Sequence, residues 1–180
     1  MMLVTGFGMM QGMVASNTIL QTLVDEKIRG RVMSYYTMAF VGMAPFGSVL
    51  ADRSGKVLRE QGNGFTSEGL DRTAHAERLL ASWAAKTLSL DELKHCTLYT
   101  SAEPCAMCSG AIYWAGIGRV VFGQTERDLK AQTGAHEENP TLDLPCHIVF
   151  EAGQRPTEIV GPLLADEAAQ LQADFWTHKG

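Results

Sequence analysis

The chain is short of several things that would decide its class at once. Four cysteines in 180 residues are too few for a disulfide framework. Basic residues are outnumbered, 15 Lys and Arg against 20 Asp and Glu. The resulting charge of −5 argues against a chain that grips nucleic acid by neutralising phosphates. A membrane span needs about 20 predominantly apolar residues. The nearest approach is residues 1–24, "MMLVTGFGMMQGMVASNTILQTLV", which lacks charge but is broken by three glycines and seven Ser, Thr, Asn and Gln residues. No basic residue precedes that stretch, as a secretory signal would require. Internal repeats and low-complexity segments are also missing. These absences lead us to expect a cytoplasmic protein in a reducing compartment, with neither a membrane nor nucleic acid as partner.

What is present is enough for one globular domain with a real core, at 46% hydrophobic and 19% charged residues. Residues 16–50 read as a helical segment, with Lys27, Arg29 and Arg31 ahead of an apolar run that Pro45-Phe46-Gly47 ends. The pattern changes there, and the expected division is an atypical leader and helix over 1–44 and a second unit over 45–180. "FGSVLAD" and "KVLREQGN" read as strands joined at "RSGK". "TAHAERLLASWAAKT" reads as a helix capped by Thr73, with Ala76, Leu79, Leu80 and Trp83 on its apolar face. "HCTLYTS" is an expected strand, "PCAMCSGAIYWAG" a helix and "GRVVFGQ" another strand. "CHIVFEAG" is expected as a last strand and "LADEAAQLQADFWTH" as an amphipathic helix. Strand followed by helix, twice over, implies an α/β sheet with some parallel pairing.

Chemistry concentrates at "EPCAMC" and "TAHAE". Pro104 suits the first turn of a helix, which would place Cys105 and Cys108 on one face at its N-terminus. The partial positive charge there favours thiolates. Alone, such a pair could be a redox couple or half of a structural zinc site. His75 and Glu77, near the start of the preceding helix, add an imidazole and a carboxylate. One imidazole and two thiolates make three ligands for Zn2+ with a fourth position left for water, the catalytic rather than the structural arrangement. A helical Glu is ordinarily solvated; its spacing from His75 gives Glu77 a role. Cys96 and Cys146 read as small core residues. His95, His136, His147 and His178 receive no role.

His75-Ala76-Glu77 and Pro104-Cys105-Ala106-Met107-Cys108 fit the H-x-E…P-C-x-x-C pattern of zinc deaminases at every position. With "LYTSAEPCAMCSGAIYWAGI" and "RVVFG", residues of about 45–180 resemble the cytidine deaminase-like superfamily, and within it the bacterial guanine deaminases and related nucleobase deaminases. The resemblance implies a three-layer α/β/α fold with a mixed sheet of about five strands. It also implies a homodimer whose C-terminal segment helps close the active site. It makes His75, Cys105 and Cys108 the zinc ligands and Glu77 the proton shuttle. Asn63, otherwise a plain turn residue, would hydrogen-bond the base. Ala76 and Trp114 are taken as further substrate-binding residues. Glu137, with Glu138 beside it, would be a second catalytic carboxylate. The expected substrate is a small amino-substituted nucleobase such as guanine, isocytosine or a cytosine-like ring, which loses ammonia. A tRNA-specific adenosine deaminase is the alternative, a nucleoside deaminase a lesser one. Where the family has its first helix, residues 16–50 instead resemble a loop and helix of major facilitator superfamily transporters.

Overall fold

A computed structural model describes residues 47–173 apart from 66, 134–140, 164, 167 and 171. The leader, the helix expected before residue 47 and the Glu137–Glu138 pair lie outside the described residues. The first strand, β1 (Gly47–Ala51), turns into β2 (Val57–Gly62). Asp52 builds this turn: its Oδ1 accepts from Ser54 N at 2.8 Å, Ser54 Oγ at 2.6 Å and Lys56 N at 3.1 Å. The expected hairpin is therefore present. Helix α1 (Ala76–Thr87) and the short α2 (Leu90–Leu93) lead to β3 (Thr97–Ala102). Helix α3 (Ala106–Ala115) ends at Gly116, whose φ of 90° is a left-handed conformation that favours glycine. Strand β4 (Arg119–Gln124), helices α4 (Glu126–Thr133) and α5 (Cys146–Glu151), and β5 (Glu158–Val160) follow.

The five strands form one mixed sheet in the order β2-β1-β3-β4-β5. β1 pairs antiparallel with both β2 and β3, while β3, β4 and β5 run parallel. On one face Leu50, Leu98, Val120 and Phe122 pack against Leu80, Ala81 and Ala84 of α1 and Ile112 of α3. Several of these side chains are fully buried, each worth about 1.5–3 kcal/mol of transfer free energy. The alternate residues Val49, Ala51, Tyr99 and Val121 form a smaller cluster on the other face. Gly123 lies on that second face by the same alternation, and a Cβ there would come within 2.8 Å of Ala168. The described residues of 165–173 are helical, so helices flank the sheet on both sides. Among the described residues no helix is long and apolar enough to cross a membrane.

The structure corrects the sequence reading in three places. "CHIVFEAG" is not a strand. Cys146 and Phe150, four apart, are buried while His147 and Ile148 between them are exposed, which is helical rather than alternating burial. The last strand instead lies at Glu158–Val160. Thr73 does not cap α1, because its N–H and its hydroxyl both bond Asp71 Oδ1 at 2.7 Å. The N-cap moves to His75. Pro104 likewise stands just outside α3, whose N-cap is Cys105.

Candidate metal centre

Those two shifts of register build the site. His75 and Cys105 occupy the N-cap positions of α1 and α3, both with extended backbone, and neither side chain caps its own helix. Each is thereby free to point outward. α1 and α3 pack together on one sheet face, so their N-termini converge. His75 Nδ1 lies 3.6 Å from Cys105 Sγ and 3.5 Å from Cys108 Sγ. The donor atoms of all three residues fall within 4.8 Å of one another. A tetrahedral zinc with Zn–S of about 2.3 Å and Zn–N of about 2.0 Å would set nitrogen–sulfur separations near about 3.6 Å. The residues fit that ion in both donor chemistry and spacing.

The protons of the metal-free chain are arranged for the same purpose. The Cys108 thiol donates toward Cys105, and with help from His75 this pulls the Cys105 thiol down to about 4 against the opposing effect of burial. Cys108 is pushed far up, first by that same bond to Cys105 and then by burial. The bond to Cys105 raises His75, with burial opposing it. Metal binding to two cysteines proceeds with loss of their thiol protons, and the lowered Cys105 thiol favours that loss.

Glu77 sits in the first turn of α1, buried beside the ligand triad. Its Oε1 accepts a 2.6 Å hydrogen bond from Thr100 Oγ1, and its Oε2 lies 3.6 Å from Cys108 Sγ. Burial raises its pKa, partly offset by the Thr100 bond. A carboxyl that readily holds and releases a proton beside a metal is suited to general acid–base work.

The other residues read from sequence are placed less closely. Ala76 is buried between His75 and Glu77 at the first helical position of α1. Asn63 is exposed, and its Oδ1 accepts from Phe65 N at 3.0 Å, so it makes the local turn that its residue type alone suggests. Trp114 is 76% exposed and packs edge-on against Tyr113. It follows Cys105 by nine residues, roughly 13 Å along the helix axis, and a single chain does not bring it to the ligands.

Three residues near the centre escaped the sequence reading. One is Thr100. Another is Glu103, buried just before Pro104, whose two oxygens accept from Glu126 N at 3.0 Å and from Cys146 N at 2.8 Å. It thus ties the cysteine turn to the starts of α4 and α5. The third is Glu126, also buried, whose carboxyl is raised to about 7 by desolvation and then by the charges of Cys105, Glu103 and Glu77. Its position just past the carboxyl end of a parallel strand, where ligands of α/β sheets gather, was the available signal.

Comparison with known proteins bears on the same residues. Residues 32–124 match the cytidine and deoxycytidylate deaminase zinc-binding region. A probable cytosine deaminase of Schizosaccharomyces pombe is 41% identical over 75% of this chain and 81% of its own length. A tRNA-specific adenosine deaminase of Haemophilus influenzae is 32% identical over 84% of this chain and 83% of its own. The solved guanine deaminase from Nitrosomonas europaea shares the fold with a TM-score of 0.60 at 25% identity, over 89% of this chain and 91% of that one. The matched region contains His75, Glu77, Cys105 and Cys108, and the chain belongs to the zinc-dependent cytidine and deoxycytidylate deaminase family.

Proposed function

We propose that the substrate is a small free nucleobase with an amino group beside a ring nitrogen, of the guanine, isocytosine or cytosine kind. The reaction exchanges that amino group for oxygen: one water enters and one ammonia leaves. Zinc in a site of this kind lowers the pKa of the water it binds and so supplies the nucleophile near neutral pH. Glu77 carries the proton given up by the nucleophile to the ring nitrogen beside the amino-bearing carbon. A further proton makes the amine a competent leaving group. Asn63 would read the base edge through its amide. The N–H groups at the start of α1, around Ala76, have no intrahelical acceptor and suit a ring carbonyl. Glu137 would act as a second carboxylate over the leaving amine. Trp114, exposed as it is, would meet a base only across a homodimer.

The observation that carries a small substrate over an RNA is the charge next to the centre. Arg127 and Lys130 of α4 are both engaged by Asp143, at 3.0 and 3.5 Å, and Glu103 and Glu126 are buried acids on the site's flank. An RNA-binding mouth would hold cations ready for phosphates. An ammonia-release screen over free bases, their nucleosides and an anticodon stem-loop tests this. Release from at least one free base, with none from the stem-loop, is expected. Turnover confined to the RNA would overturn it.

A further inference from the structure

We propose that Thr100 is a positioning residue that commits one oxygen of Glu77 to the sheet and thereby turns the other toward the metal ligands. The inference deepens the deaminase reading and rests on the acid–base role of Glu77. Thr100 stands on β3, the central strand, and is fully buried. Its backbone is held on both sides, opposite Ser48 of β1 and Phe122 of β4. Its side chain is β-branched and therefore stiff at χ1. The strand pairing, the burial and the stiff χ1 together fix the direction of the hydroxyl. Among the described residues Ser48, its neighbour across the pair, has a buried hydroxyl without a partner, and it does not draw Thr100 away. The Thr100 hydroxyl donates to Glu77 Oε1 at 2.6 Å.

Glu77 needs such a fixture. A glutamate has three rotatable side-chain bonds, and the first turn of a helix restrains only the first of them. With Oε1 held by Thr100, Oε2 is the oxygen on the cysteine side, 3.6 Å from Cys108 Sγ. Proton transfer falls steeply when the base is misplaced, since an error of about 1 Å can cost a hundredfold. The hydroxyl therefore contributes to turnover through Glu77 without touching the substrate.

Thr100→Val keeps the shape and removes the donor. It should lower kcat about 10- to 100-fold with KM within about 3-fold of wild type and zinc retained. Thr100→Ser keeps the hydroxyl and should recover most of the loss. Should the valine variant fail to fold, Thr100→Ser and Thr100→Ala differ only by the hydroxyl, and the serine should be the faster by a similar factor. Two readouts do not depend on the substrate. The cobalt-substituted visible spectrum should be unchanged in every variant. Crystal structures should show the Glu77 carboxylate withdrawn from residue 100 in the valine variant and retained in the serine one. Wild-type kcat in Thr100→Val, serine no better than alanine, or an unmoved carboxylate would each overturn the proposal. If no free base is turned over by the wild type, the substrate reading fails while the carboxylate position still decides this one.

Discussion

Two pairs of cysteines in this chain share a side chain and differ in everything around it. Cys105 and Cys108 face His75 at converging helix N-termini, and the Cys105 thiol is lowered, first by the Cys108 thiol. Cys96 is buried among apolar side chains, and desolvation pushes its thiol up to about 11. Cys146 is the instructive one, because it too opens a helix. A helix start should favour a thiolate. Yet its thiol is raised, by burial first and then by the nearby Glu103 charge, which already takes the Cys146 N–H. A helix N-terminus does not make a metal ligand by itself. The thiol must also have further donors within reach, as Cys105 and Cys108 have in each other and in His75.

The sharpest way to break that contrast is to remove one member of each pair. Cys105→Ala should lose zinc and all measurable turnover, whereas Cys146→Ala should keep both and cost about 1 kcal/mol of stability. Metal analysis and thermal melting would show it; zinc loss from the Cys146 variant would erase the distinction. Next in size is Glu77→Gln, which should retain zinc and lose about 10²- to 10⁴-fold in turnover, as expected of an acid–base group rather than a ligand. A smaller effect should appear in zinc-stripped protein alkylated at pH 6. Cys105, with its thiol at about 4, is then almost wholly thiolate, and Cys96, at about 11, almost wholly thiol. Mass spectrometry should find the label on Cys105 first. Since thiolate forms as pH rises through the thiol pKa, labelling of Cys105 should fade only below about pH 4.

Much of this was legible in the sequence because it is local. The β1–β2 turn is set by Asp52 within four residues, and α1, β3, α3 and β4 follow from short-range hydrophobic period. The ligand residues were readable because each half of the motif is contiguous. What escaped depends on partners far along the chain. Thr100 and Glu77 are 23 residues apart, and Glu103 and Cys146 are 43 apart. α5 was misread because Ile148 and Val149 favour a strand while the burial of Cys146 and Phe150 selects a helix. The shift of the α1 cap from Thr73 to His75 arose from Asp71, which competes for the threonine at close range. That shift frees the imidazole, so a small error in the cap concealed the reason the site works.

Zinc is expected to take two sulfurs from this chain and no more. X-ray absorption at the zinc edge of the purified protein counts them directly. Two sulfurs at about 2.3 Å and two lighter ligands at about 2.0 Å, His75 and one solvent oxygen, are expected. A third sulfur in that shell would mean that Cys96 or Cys146 reaches the metal, and would contradict it.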